Sequence, residues 1–458
     1  MVKERGLVKK KHEGRRYSIK EGIFAHSKLA FGDYYVSPFA IAINSSNSIV
    51  AMLSSIVGFL GPLSQIFGSR LIEKSSRKKV LLKTVFFESL AWLSFVAIAV
   101  LFYNGIFVQG LPFLLLLAFA FITFFAHLGH PAFFSWVGDL VDKEYRGRWF
   151  AKRMMITGFV SIILAILISF FLDYFKKQGW IMFGFMILFS IAFLLRFFCV
   201  SLFKKQYEPK IKLKKGYYFS FWDFIINAPK NNFGKFAIFR AVYAFAITIS
   251  SSLIAVYLLR NLGFSYKMYI VITLAGALLS LFVLQLWGKF ADKYGNYRLF
   301  AISCIATSIT PILWILFKSP FYLILVPSTL GGIFVAAFGL SSGNFIYDNV
   351  DSQKRGIVVS YFNMLTGIGV LFGASVGAFL IKFVETSFIE PIVLIFIIGG
   401  IIRILVVAIG LPLIREVRET EKVGGFRGFE DIILKEAKPT LVEDVHEIMS
   451  IKGYIGMK

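Results

Sequence analysis

Asp139-Leu-Val-Asp-Lys-Glu-Tyr-Arg146-Gly147 is repeated 209 residues later as Asp348-Asn-Val-Asp-Ser-Gln-Lys-Arg355-Gly356. Each copy is a short polar hinge between two long apolar runs, 111–138 and 151–174 around the first, 320–347 and 356–383 around the second. About 20 apolar residues rising ~1.5 Å each cross the ~30 Å hydrocarbon core of a bilayer as a helix. Each hinge therefore reads as the turn between two membrane spans. Working outward gives spans at 21–44, 48–70, 80–103, 111–138, 151–174 and 180–203, then 234–259, 268–290, 298–317, 320–347, 356–383 and 389–413. Two further matches keep the same order. Arg196 in the sixth span aligns with Arg403 in the twelfth, 207 residues on. Glu73-Lys-Ser-Ser-Arg77-Lys-Lys aligns with Asp292-Lys-Tyr-Gly-Asn-Tyr-Arg298, 219 residues on. The expected fold is an all-α polytopic membrane protein, twelve transmembrane helices forming two parallel six-helix repeats, an arrangement transporters use.

Composition agrees. The 458 residues are 57% hydrophobic and 17% charged, with a mean hydropathy of +0.73. A soluble chain carries roughly 25% charged and about 45–50% apolar residues, so the excess belongs in lipid. The two cysteines, Cys199 and Cys304, each lie inside an apolar run, which offers neither a disulfide framework nor a zinc cluster. The first apolar run contains Asp33, follows a basic arm and lacks a small-residue cleavage site, so it is read as a retained span rather than a signal peptide.

The net charge of +24, from 50 Lys+Arg against 26 Asp+Glu, raises nucleic acid as a partner until the charges are placed. Eight basic residues lie between Lys3 and Lys20, five between Arg70 and Lys79, five between Lys143 and Arg153, and eight in the central segment from Lys204 to Lys235. The alternate connections hold few: none in 44–47 or 104–110, then Lys176, Lys177, Arg260, Lys267, Lys318 and Lys382. Basic loops stay inside, which predicts an inner-membrane protein with both termini cytoplasmic. The charge is topological, anionic headgroups are the secondary partner, and no nucleic-acid role is expected. The resulting division is a basic arm at 1–20, six spans over 21–203, a cytoplasmic segment at 204–233, six spans over 234–414 and a tail at 415–458. The aromatic central segment, with Tyr217, Phe221, Trp222 and Phe224, reads as an interfacial helix or a tether, and Pro439–Ile451 as a short amphipathic helix.

The stretch Gly288-Lys-Phe-Ala-Asp292-Lys-Tyr-Gly295-Asn-Tyr-Arg298 resembles the signature loop of the major facilitator superfamily. The first-half copy is degenerate, with serines at both glycine positions and Glu73 in place of Asp. Asn344-Phe-Ile-Tyr-Asp348, with Lys354-Arg355 and Tyr361-Phe-Asn363, is similar to a prokaryotic branch of that superfamily. The resemblance implies a monomeric secondary transporter whose halves rock about a central cavity, with helix 1 among those lining it. The Gly-Pro motif of many antiporters is missing from the fifth span. Gly367, Gly369, Gly373 and Gly377 in the eleventh are read as close-packing positions.

Ionisable groups inside a membrane are functional candidates by default. Asp33 sits near the middle of span 1, and the spacing His26, Asp33, Ser37, Asn44 sets all four on one helical face. Asp33 is the candidate for binding a proton or cationic solute. His127 and His130 follow Thr123 on one face of span 4 as relay or hydrogen-bonding groups. Two imidazoles lack the further ligands of a closed metal site, and no metal or other cofactor is expected. Arg240 and Asn344 occupy cavity-type helices. Arg240 is a candidate anion holder close enough to the cytoplasmic end to snorkel. Glu88 and Arg196 are expected to pair, and Arg403 to find Ser303, Thr307 or backbone carbonyls. At the inner hinges acids and bases alternate, Glu73 with Arg77, Asp139 with Arg146, Asp292 with Arg298, Asp348 with Arg355, as a candidate cytoplasmic gate that latches the two halves by ion pairs.

No P-loop and no His-Glu-x-x-His sequence occurs, so neither ATP hydrolysis nor zinc-dependent hydrolysis is indicated. The expected function is secondary active transport of a small solute, with protons as the candidate coupling ion. The competing readings are a transporter-like sensor or scaffold, read out through the tail, and a polytopic lipid-modifying protein.

Overall fold

The computed structural model describes residues 2–141, 146–209, 220–350 and 355–417. The described residues are helical. The helices are α1 (Val2–Phe31), α2 (Val36–Ala42), α3 (Asn47–Lys74), α4 (Arg77–Tyr103), α5 (Leu111–Leu128), α6 (His130–Leu140), α7 (Arg146–Lys177) and α8 (Ile181–Lys205) in the first repeat. A short helix α9 (Phe221–Asn227) leads into the second repeat: α10 (Asn232–Ser251), α11 (Ile254–Val256), α12 (Tyr266–Tyr294), α13 (Asn296–Leu316), α14 (Pro320–Leu323), α15 (Thr329–Asn349), α16 (Arg355–Phe383) and α17 (Pro391–Gly410). Among the described residues, eleven segments are long and apolar enough to cross a membrane, and they match the second to twelfth expected spans.

The first span is the exception, for a local reason. α1 ends at Phe31, a 3-10 turn covers Asp33–Tyr35, and α2 resumes at Val36. At the break sits Gly32, where a Cβ would fall 2.5 Å from the Trp92 ring. The regular face expected through His26, Asp33, Ser37 and Asn44 is therefore interrupted, and Asn44 lies past α2 with φ of 59°. At its other end α1 extends through the basic arm to Val2 rather than starting near residue 21. Arg15 anchors the arm by donating to the Leu140 carbonyl at 3.3 Å.

The two signature loops turn by different devices. Gly295 stands between α12 and α13 with φ of 96° and ψ of 155°, a conformation L side chains rarely adopt. Its first-half counterpart, Ser76, keeps ordinary φ of −67° and accepts the Lys79 amide as an N-cap of α4. The fourth span is interrupted where α5 gives way to α6 across Gly129, with Pro131, which has no amide hydrogen to donate, in the first turn of α6.

The chain packs as two compact units. Unit 1 comprises Met1–Lys215, Thr248–Val271 and Thr366–Ile395, and unit 2 comprises Gly216–Ile247, Ile272–Leu365 and Phe396–Lys458. Unit 1 buries Trp92 with Phe39, Phe95, Phe185 and Phe189 in ring contact. Unit 2 buries Phe236 against Phe300, Phe345 and Phe362. Two of the four expected close-packing glycines act as such within unit 1: a Cβ on Gly367 would collide with the Gly58 carbonyl, and one on Gly377 with the Ile249 carbonyl. The tail with Pro439–Ile451 lies outside the described residues.

Candidate functional site

Within unit 1, α1, the 3-10 turn that follows it, α4, α7 and α8 bring six charged side chains into one line. Asp33 takes Lys28 at 2.9 Å, and Lys28 Nζ lies 3.1 Å from Glu88 Oε1. Glu88 Oε2 takes Arg196 at 2.7 Å. Arg196 reaches Glu21 at 3.5 Å, and Glu21 takes Arg153 at 3.0 Å. The signs alternate along the whole line, three carboxylates and three cations, so the buried charge sums to zero. Such a set survives in a low-dielectric interior because each member has a counter-charge, and deleting one strands its neighbours. Five of the six side chains are at most 13% exposed, while Asp33, at the helix break, is 30% exposed. Lys28 also lies 5.6 Å from the Trp92 ring centre, and Arg153 lies 4.9 Å from that of Phe133.

The expected Glu88–Arg196 pair is thus one link in a longer chain. Lys28, Glu21 and Arg153 were not singled out in the sequence. Arg153 counted as a hinge cation and Glu21 as a span boundary. The seven-residue step from Glu21 to Lys28, two helical turns, was the available signal.

His127 and His130 stand beside this line. Their ring centres are 4.8 Å apart, and His127 lies within electrostatic range of Glu88, Lys28 and Asp33. His127 Nδ1 is 2.9 Å from the Thr123 carbonyl, and His130 is exposed. His26 likewise spends its Nδ1 on the Gly22 carbonyl, at 2.9 Å. Ser37 is half-buried on α2, one turn beyond Asp33. Among the described residues no group of three or more His, Cys, Asp or Glu is placed to hold a metal ion.

At the basic hinges, Arg77 pairs with Asp139 at 2.6 Å, donates to the Ser135 and Pro209 carbonyls, and lies 3.7 Å from Glu208. This pair joins α4 to α6 of one repeat. The side chains of Glu73, Arg146 and Arg355 lie outside the described residues. In unit 2 Asp348 accepts from Asn296 at 2.6 Å, and Asn296 accepts from Asn344 at 3.1 Å, so Asn344 and Asp348 share one hydrogen-bonded set at the hinge. Asp292 and Arg298 each make interactions of their own there.

Arg240 and Arg403 lie within apolar spans of unit 2. Arg240 stacks 4.2 Å from the Phe338 ring centre, and its buried Nε has no hydrogen-bond partner among the described residues. It sits eight residues into α10, about 12 Å from the helix start, deeper than the near-terminal position expected. Arg403 donates to the Thr307 carbonyl at 3.1 Å, the Ile247 carbonyl at 2.8 Å and the Thr310 hydroxyl at 3.3 Å. Backbone carbonyls and a hydroxyl thus take the place of a carboxylate.

At the span ends remote from the basic hinges, unit 1 holds a set of contacts that sequence reasoning missed. Asp173, near the end of α7, accepts the Tyr266 and Lys267 amides at 2.8 and 3.0 Å, capping α12. Arg260 donates to Asn47 and to the Ser45 carbonyl. Ser48 donates to the Ala378 carbonyl at 2.8 Å.

The folded chain is similar to several solved transporters. It matches the nucleoside transporter NupG with a TM-score of 0.62 at 14% identity, over 88% of this chain and 98% of that one. It matches a bacterial homologue of the iron transporter ferroportin, in its inward-facing state, with 0.63 at 14% identity over 87% and 98%. A bacterial metal transporter gives 0.61 at 14% identity over 88% and 98%. At this identity the likeness is one of fold. None of the curated proteins matches the chain in sequence. The sequence profile of the Major Facilitator Superfamily matches residues 24–229 and 236–445, nearly the whole of both repeats. The chain is a multi-pass membrane protein that belongs to the Major Facilitator Superfamily of transporters.

Proposed function

We propose that the protein is a secondary active transporter that carries a small solute across the cytoplasmic membrane by alternating access, with both termini inside. The observation that carries this reading is the alternating line Asp33–Lys28–Glu88–Arg196–Glu21–Arg153, with its one accessible member at a break in the first span. A proton or a small organic cation arriving at Asp33 competes with Lys28 for the carboxylate. Lys28 then falls back on Glu88 alone, and the charge at the helix break changes by one unit. A ligand that alters charge there favours one arrangement of the helix break over another, which is how a binding event shifts a two-state equilibrium. In this reading His127 and His130, which stand beside the line, pass or accept that proton.

The contacts made by Asp173, Arg260 and Ser48 serve in this reading as the outer gate, while the Arg77–Asp139 pair, within one repeat, holds α4 and α6 together at the inner hinge. The test is flux in proteoliposomes under an imposed pH gradient, wild type against Asp33→Asn, using a panel of nucleosides, organic cations and divalent metals as solutes. The reading expects gradient-driven flux of at least one class in wild type and its uncoupling from the gradient in the variant. Equal gradient dependence in both removes Asp33 as the coupling carboxylate. No flux of any solute in wild type, with the protein inserted and folded, favours a sensor instead.

A further inference from the structure

In unit 2 an open groove of about 510 Å³ lies between α10 and α17. Ile238, Phe239 and Val242 line one wall and Ile402, Leu405 and Ile409 the other, with Lys235 the only charged residue in the lining. Leu405 and Ile409 are 53% and 70% exposed, so the groove is apolar and unfilled by the chain's own side chains. From Lys235 to Val242 is about 10 Å of helix and from Ile402 to Leu413 about 16 Å. That is close to half the ~30 Å hydrocarbon core, the depth of one leaflet.

The mouth is built differently from the walls. The Asn232 side chain both donates to the Arg415 carbonyl and accepts its amide, each at 2.9 Å, which ties the chain after α17 to the start of α10. Lys230, Lys235 and Arg415 are therefore gathered at this end, and all three are exposed. Among the described residues of these segments, the two carboxylates are engaged elsewhere. Asp223 takes the Ser220 amide and hydroxyl at 3.0 and 2.7 Å, and Glu416 accepts the Tyr297 amide at 2.8 Å. Just before Pro229, which also lines the groove, α9 buries Phe224 and leaves Trp222 and Ile226 exposed, the pattern of a helix lying in a membrane interface.

We propose that the α10–α17 groove binds an anionic phospholipid of the cytoplasmic leaflet, one acyl chain in the groove and the phosphate at Lys230, Lys235 and Arg415. The leaflet assignment rests on the sidedness proposed above; the site itself does not depend on what the protein transports. A groove in unit 1 supplies an internal control. It lies between α4 and α5, has a volume of about 600 Å³, is lined by Phe87, Leu101, Leu117 and Phe121 among others, and has no charged residue in its lining.

The test is photo-crosslinking of the full chain in nanodiscs doped with phosphatidylglycerol or phosphatidylcholine carrying a diazirine on the acyl chain, with labelled residues mapped by mass spectrometry. Phosphatidylglycerol is expected to label the α10–α17 walls several-fold more than phosphatidylcholine, while the α4–α5 groove takes both equally. Replacing Lys230 and Lys235 by Gln is expected to bring phosphatidylglycerol labelling of the α10–α17 walls down to that of phosphatidylcholine. Ile409→Trp, which fills the groove, is expected to abolish labelling there and leave the control groove unchanged. Equal labelling by the two lipids at the α10–α17 groove overturns the proposal. So does an unchanged preference in the double lysine variant, or cross-linking of a second copy of the chain across the groove.

Discussion

Asp33 differs from the other five charges of its line in being reachable, whereas Glu88 is buried and, like Glu21, holds two cations at once. The two sites therefore answer differently to loss of charge. Asp33→Asn removes one partly exposed partner of Lys28, which keeps Glu88, so the fold is expected to survive with thermal stability lowered by about 1 kcal/mol or less. The effect should appear in gradient-driven flux. Glu88→Gln leaves both Lys28 and Arg196 short of a buried counter-charge, and breaking such a pair costs about 3–5 kcal/mol. A thermal-shift measurement in detergent should show the second variant strongly destabilised and the first nearly unchanged. A Glu88→Gln, Lys28→Gln double variant removes one charge of each sign and is expected to recover much of that loss.

Helix ends carry the next set of expectations. Asp173 closes two otherwise unsatisfied amides at the start of α12, and an N-terminal cap is worth roughly 0.5–2 kcal/mol. Asp173→Ala is expected to loosen the junction of α7 and α12, raising the reaction rate of a cysteine at Lys267→Cys with a membrane-impermeant thiol reagent by about five-fold. An unchanged rate would sink the outer-gate role. At the opposite ends, Gly295→Ala places a side chain at φ of 96°, which costs about 1–3 kcal/mol. Ser76→Asp keeps a capping oxygen and is expected to be tolerated, so a stability assay on both variants separates the two devices. The difference explains why the first copy of the signature loop reads as degenerate. Its serine caps a helix at ordinary φ, whereas the second copy needs a residue without Cβ.

Across the whole molecule, length, hydropathy and the distribution of basic hinges made the helices and their order legible, because lipid imposes a simple rule on apolar length. The same rule placed the first span at 21–44 but not its course, since hydropathy is diluted there by Lys28 and Asp33 and the helix is broken at Gly32. The site was half legible. Asp33, Glu88 and Arg196 stood out as charges in apolar runs, but Glu21 and Arg153 sat near expected span ends, where charges usually face water. Asp173 gave no signal, since its partners are backbone amides that any residue carries. The expected sidedness leads to one more measurement. Labelling from outside should reach a cysteine at Gln178→Cys and spare one at Ser220→Cys, and the reverse would overturn the orientation. The line of charges also constrains how the protein is made. Glu21 finds Arg153 132 residues further along the chain and Arg196 175 residues further along. During synthesis the amino-terminal segment therefore leaves the ribosome long before its counter-charges exist, and it is too polar to partition into lipid by itself. It must wait in a hydrated insertase or at the bilayer surface until the sixth span has been translated, so the segment made first is among the last of its half to settle.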